Sequence, residues 1–426
     1  MEQRLTIKKD IWGERILFSL GLFSTMQILS VFGITLFTYI LFIAAVYFAA
    51  FTVWHVSAKN NLFVALFVSF LITVVFAYFN KILPSGFKSS MLKNFIILSS
   101  ICALICLVNL RGDSRLTKSF FKGFIISCEI QLVWSILQFA FYRVFGFDAN
   151  DAIFNRLLHM TSYASASKEG KLVCTGLSWH PANLVVPLVF LYLCSRYKVT
   201  KILCIFVAFA SKSATGEICV FICFLFDAIR VASKFSFRKI NRDNLTNALV
   251  VIASLCVLLL FFQNTVFDAI KGLVQRITDI TSNKSDNSSV THFLYYTKLP
   301  ELIFSKNGFL TDLFGYGIAC SGFPFSHFYG QYVGEVWVVE SDYVNIFLSQ
   351  GILGFAVFYF VLISIAITVC KKSKLGRVFF PVIFLAGITY NLQFNWVILV
   401  EFMIFLSAEF GVDAFSYCHD KYTIFG

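Results

Sequence analysis

Apolar runs of membrane-spanning length recur along most of this chain, separated by short polar connectors. They fall near 16–34, 36–57, 62–79, 94–110, 120–143, 181–195, 200–211, 215–230, 245–263, 346–370, 378–394 and 396–412. A helix needs about 20 apolar residues to cross a bilayer. Runs of this length, without strand-like alternation, read as helices surrounded by lipid. The pattern predicts an all-α, polytopic membrane protein of about 12 transmembrane helices. The runs at 200–211 and 215–230 are short, as tilted or partly re-entrant helices would be. Five blocks follow: helices over 1–143, a long loop over 144–180, helices over 181–263, a larger loop over 264–345, and helices with a tail over 346–426.

Composition agrees with lipid as the solvent. The chain is 58% hydrophobic and 14% charged, with a mean hydropathy of +0.79, whereas a soluble domain carries about a quarter charged residues. Few prolines, 6 in 426 residues, leave long helices intact. The net charge of +12 would suggest a nucleic-acid partner in a soluble protein. Here the cations sit in short connectors, so topology explains them and no nucleic-acid partner is expected. With the N-terminus inside, 22 of the 35 Lys and Arg fall in inside segments, Arg111, Arg115, Arg196, Lys371 and Lys372 among them. That bias places both termini in the cytoplasm and the loops 144–180 and 264–345 outside. The polar, basic first residues precede no small-residue cleavage site, so the first helix is expected to be its own insertion signal. Most of the 12 cysteines lie inside apolar runs and read as small hydrophobes. Cys174 and Cys320 fall in the long loops and are candidates for a disulfide there. No metal-ligand spacing occurs, and no cofactor is expected.

Loops of this length in a compact protein carry function or disorder. The larger one contains a predicted helix, SSVTHFLYYTKLPELIF, with Ser288 or Ser289 at its start. No internal repeat supports an inverted-repeat transporter. Between residues 165 and 370 a series of short patterns follows in order. Gly176, His180, Pro181 and Asn183 lead into the sixth apolar run. Ser211, Ser213, Thr215 and Gly216 form a turn before the eighth. Arg276 and His292 come next, then Gly315 and Gly317, then Glu340, Asp342 and Asn345, and finally Gly351 and Gly354.

This order and spacing resembles the O-antigen polymerase and O-antigen ligase superfamily. The resemblance implies an all-helical fold of the lipid-linked-sugar glycosyltransferase type in a bacterial inner membrane. It implies a metal-independent transferase working at the periplasmic face on an undecaprenyl-diphosphate-linked oligosaccharide. A polymerase moves a growing glycan onto the next lipid-linked repeat unit; a ligase moves finished glycan onto lipid A core. Inner-membrane lipid and a chain-length regulator are the other partners implied.

Such a transfer needs cations against a diphosphate leaving group and a base for the acceptor hydroxyl. Arg276 matches a family arginine near the diphosphate, and is equally suited to lipid headgroups. His292 stands where relatives carry a second arginine, and is a candidate base or phosphate ligand. Lys171, Arg156 or Lys212 would replace the arginine expected at Val173. Glu340 lies eleven residues before Gly351, where ligase-like relatives carry His and polymerase-like ones often Glu. It is therefore the expected base, with Asp342 as the fallback; an acid also suits a helix N-terminus structurally. His180 and Asn183 are candidates for lining the site, although Pro181 at a helix start explains them equally. His327, Tyr329 and Trp337, with neighbouring aromatics, are candidates for cradling sugars or for an interfacial belt. Glu129 and Glu401 fall inside predicted spans, where an acid is costly. They speak for the rival class, a non-enzymatic flippase or transporter.

The topology is tested with a reporter active only outside the cytoplasm. Fused after Asp286 it should be active, and fused after Arg242 silent; the reverse pattern would invert the orientation.

Overall fold

The structure, a computed structural model, describes residues 10–53, 60–160, 172–234, 288–329, 338–392 and 396–421. The expected span at 245–263 lies outside the described residues. The chain is a bundle of helices: α1 (Ile11–Phe23), α2 (Leu36–Phe51), α3 (Asn61–Phe79), α4 (Ser85–Arg111), α5 (Ser114–Phe145), α6 (Val185–Cys194), α7 (Lys198–Ala210) and α8 (Ala214–Lys234). Then follow α9 (Ser288–Glu301), α10 (Phe309–Phe314), α11 (Phe323–Tyr329), α12 (Asp342–Lys372), α13 (Gly376–Thr389), α14 (Trp396–Glu409) and α15 (Ala414–Lys421). Among the described residues, four helices, α3, α4, α5 and α12, are long and apolar enough to cross a membrane. Helices α2, α13 and the stretch Pro181–Cys194 are apolar but shorter.

One expected span is corrected. The run 16–34 is not a single helix. Helix α1 begins earlier, where Asp10 accepts from the Gly13 N–H, and ends at Phe23. A two-residue hairpin, Ser30–Val31 paired with Ile34–Thr35, follows. The physical reason lies in Thr25 and Gln27. Thr25 bonds Ser127 at 2.6 Å, and Gln27 bonds Asn183 at 2.7 Å. These long-range contacts pull the backbone out of the helix despite its hydropathy. The expected loop helix is present as α9, continuing past Pro300 into a π-helical turn, Leu302–Lys306. The candidate disulfide is not formed. Cys174 packs with Leu172 and Ala210, while the Cys320 thiol faces the Phe87 carbonyl beside α4, so the two belong to different clusters.

The helices alternate in direction, which sorts their ends into two sets. At one end Arg111 pairs with Asp10 and donates to Thr52 and the Phe51 carbonyl. There too Arg115 pairs with Asp113, Lys201 with Asp227 and Lys372 with Glu409. At the other end the segments 24–29, 172–184, 211–216, 315–322 and 338–345, loops together with the helix starts they lead into, meet. Ile28 N–H donates to the Leu177 carbonyl, Cys174 N–H to the Ala210 carbonyl, and Thr215 bonds Thr389.

Helices α1 and α5 approach most tightly. A Cβ on Gly21 would strike the Phe120 carbonyl, and one on Gly123 the Phe18 carbonyl. Neither obstacle can yield, because both are backbone inside a helix. Gly21→Ala and Gly123→Ala should each destabilise the detergent-purified protein by about 1–3 kcal/mol. The check is thermal unfolding. Gly308→Ala, where nothing lies within 4 Å of the added Cβ, should leave the midpoint unchanged.

Candidate functional site

The segment 172–178 has no regular structure, so its backbone N–H groups need partners from elsewhere. Two glutamines of α5, two turns apart on one face, supply them. Gln138 Oε1 accepts from the Thr175 and Gly176 N–H groups at 3.1 Å, and Gln131 Oε1 from the Leu177 N–H at 2.7 Å. The Gln138 amide donates to Asp148 at 2.9 Å, and Asn150 donates to the Gly176 carbonyl at 2.7 Å. Burial raises the Asp148 carboxyl above its ordinary range, against the opposing pull of the Gln138 amide and the Asn150 backbone N–H. Gly176 sits at φ +60°, and a Cβ there would meet Gln131, Leu184 and Ser135. Glycine is needed on both counts.

This cradle delivers His180. Its Nδ1 accepts from the Ala182 N–H at 3.2 Å and caps the short 3₁₀ turn Pro181–Leu184, with Pro181 where its missing N–H costs nothing. The half-buried imidazole stacks on Tyr390, with ring centres 4.8 Å apart and planes within 8°. Asn183 is buried and donates to Gln27 at 2.7 Å. Asn183 thereby fastens the α6 start to the loop after α1.

Tyr390 follows the last turn of α13, and that turn is the meeting place of the site. The last carbonyls of any helix lack intrahelical partners. Here the Tyr296 hydroxyl reaches one of them, and hydroxyls from two other segments bond beside it. Tyr296 of α9 donates to the Ile388 carbonyl at 2.7 Å and bonds Ser341 at 2.6 Å. Tyr343 donates to the Phe384 carbonyl at 2.8 Å. Thr215, in the first turn of α8, bonds Thr389 at 2.7 Å. Burial pushes the Tyr296 phenol up, so it stays a neutral donor at physiological pH. Asp342, buried at the start of α12, accepts from the Leu392 N–H at 2.9 Å. It fits only because Gly387 has no side chain: a Cβ there would lie 2.9 Å from Asp342 Oδ2. Glu340 is half-buried two residues earlier, outside the helix.

The glycine pairs have a backbone role. Gly351 breaks α12 with φ +68°. The carbonyls of Leu348 and Ser349 accept instead from the Tyr316 and Gly317 N–H groups, both at 2.8 Å. Gly315 and Gly351 press against the opposing main chain so closely that neither has room for a Cβ. Asn345 joins the same junction, bonding Ser321, Ser349 and Asn391.

The structure therefore brings His180 and Asp342 together through residues 384–392, with Asn183 and Glu340 a few residues along the chain from them. Other sequence candidates stand elsewhere. Arg156 is exposed on a π-helical turn, Asp151–Leu157, and pairs with Asp151 at 2.7 Å. His327 is exposed and stacks on Phe323, and Lys298 covers the Tyr329 ring at 5.1 Å. Phe325, one of the aromatic candidates for sugars, is core, packed on Tyr295. His292 falls on α9. Arg276, Lys171 and Trp337 lie outside the described residues. Among the described residues no group of three His, Cys, Asp or Glu is arranged to hold a metal. Sequence reasoning missed Gln131, Gln138, Tyr296 and Tyr390. Only the two glutamines left a signal, as spaced amides inside an apolar run. Neither a scan against protein-family models nor a search of curated proteins finds a match.

Gln138→Leu leaves two buried N–H groups without acceptors, each costing about 1–3 kcal/mol. Hydrogen exchange across 172–178 should accelerate and the unfolding midpoint fall. Ser135→Ala, which removes a hydroxyl without a partner among the described residues, should change neither.

Proposed function

We propose that this chain is a polysaccharide polymerase of the bacterial inner membrane, threaded about 12 times through it. In this reading it transfers a growing glycan from undecaprenyl diphosphate to a lipid-linked repeat unit at the periplasmic face. The observation that carries the reading is convergence. Motifs near residues 180, 215 and 342, far apart in sequence, meet around the last turn of α13. A transferase must hold donor and acceptor together, and this end gathers a half-buried imidazole, hydroxyls and two carboxyls beside non-helical backbone.

The roles divide by environment. Glu340, half-buried and outside the helix, is the proposed base for the acceptor hydroxyl. Asp342 is proposed as a positioning residue, since its Oδ1 already holds the Leu392 N–H and so fixes α12 against the chain after α13. The diphosphate would be neutralised by cations of the outer loops, Arg276 first, with Lys171 or His292. Departure of undecaprenyl diphosphate leaves the glycan on the acceptor oxygen, whose proton passes to Glu340. The carboxylate at position 340 favours polymerase over ligase. A transporter remains the competing class because Glu129 and Glu401 are buried within α5 and α14.

The test is complementation of a polymerase-null strain at matched membrane levels, read as the lipopolysaccharide ladder. Wild type and Glu129→Gln should give ladders. Glu340→Gln should collapse to core plus one repeat, since losing a general base costs about 10²–10⁴ in rate, and so should Arg276→Ala, which removes the cation proposed for the diphosphate. Full ladders from both loop variants, with loss in Glu129→Gln, would favour the transporter.

A further inference from the structure

The turn that follows α5 has two unlike faces. Inward, Ala149, Asn150 and Phe154 are buried. Phe154 meets Trp134 edge-on at 5.7 Å, and the Trp134 indole donates to Asn150 at 2.7 Å. Outward, Phe145 is 61% exposed, Phe147 46%, Leu157 71% and Leu158 48%. Phe141, Phe145 and Phe147 form one aromatic group, with ring centres 5.5–6.5 Å apart. An exposed apolar patch of this kind marks a surface that is covered.

We infer that the outward face of residues 145–158 lies in the outer headgroup layer of the bilayer, with membrane phospholipid as its partner. Two features favour lipid over another protein. First, the patch is continuous with the outward face of α5 through Leu137 and Phe141, both exposed, on a helix long and apolar enough to cross a membrane. Second, cations flank it: Arg143 lies over the Phe139 ring at 5.1 Å, and Arg156 is exposed beside Asp151. Aromatic rings with neighbouring arginines suit the boundary between acyl chains and phosphates.

The consequence reaches the site. Asp148 and Asn150, on the inward side of this turn, hold Gln138 and the backbone at Gly176. The turn thus fixes the depth of the segment leading to His180 relative to the membrane surface. This holds whether the chain polymerises glycans or transports them.

The full chain is reconstituted in vesicles of phosphatidylethanolamine and phosphatidylglycerol, as wild type, Phe147→Trp, Leu157→Trp and Leu158→Trp. These side chains face outward, so the substitutions should leave the unfolding midpoint unchanged. Emission above wild type should be quenched by phospholipid brominated near the headgroup, roughly twofold more than by aqueous iodide. Quenching by iodide alone would put the face in water and overturn the inference. Quenching by neither would mean a protein surface covers it, which overturns it equally.

Discussion

The obligation that organises this protein is that backbone leaving a helix inside an apolar bundle must still find hydrogen-bond partners. Each unsatisfied group in such surroundings costs free energy that no neighbouring water recovers. The chain meets it largely with side-chain amides and hydroxyls, joined by carboxylates such as Asp342. Gln131 and Gln138 receive three N–H groups of the segment 175–177. The break at Gly351 releases two carbonyls, and residues 316–317 take them up. At the end of α13 the Tyr296 hydroxyl takes up the Ile388 carbonyl. If any of these sets failed, the loops would lose their register on the helices beneath.

The same economy shapes the candidate site. Among the described residues, long stretches of irregular backbone such as 172–180 and 315–322 gather at one end, where polar side chains fix them, while ion pairs such as Lys372–Glu409 tie helices at the other. A fixed, partly dry surface with a carboxylate, an imidazole and several hydroxyls is suited to aligning two polar reactants. Asp342 shows how position and chemistry separate. It looks like a candidate base in sequence, yet in the fold it accepts from a main-chain N–H across Gly387. Glu340 stands half-buried two residues before the helix.

Much of the fold is legible in the sequence because hydropathy is local. Helices α3, α4, α5 and α12 overlap the apolar runs that predict them, and α9 matches its expected stretch. The run 16–34 fails because hydropathy averages over Thr25 and Gln27, whose partners lie more than 100 residues away. The ordered short motifs are also visible, but their meaning is divided. His180 and Asp342 do arrive at one place. The glycines at 315, 317 and 351 are a main-chain splice, explained by a close approach that no single-sequence pattern reveals. Tyr296 and Tyr390 carry no signal at all, since tyrosine is common in this chain and their roles depend on where α13 ends.

The most direct measurement is made on purified protein in vesicles supplied with undecaprenyl-diphosphate-linked repeat units, followed by mass spectrometry of the extracted lipids. The account predicts lipid-linked glycans lengthened by whole repeats, with one undecaprenyl diphosphate released per transfer. Unchanged repeat units that merely redistribute between the two leaflets would contradict it.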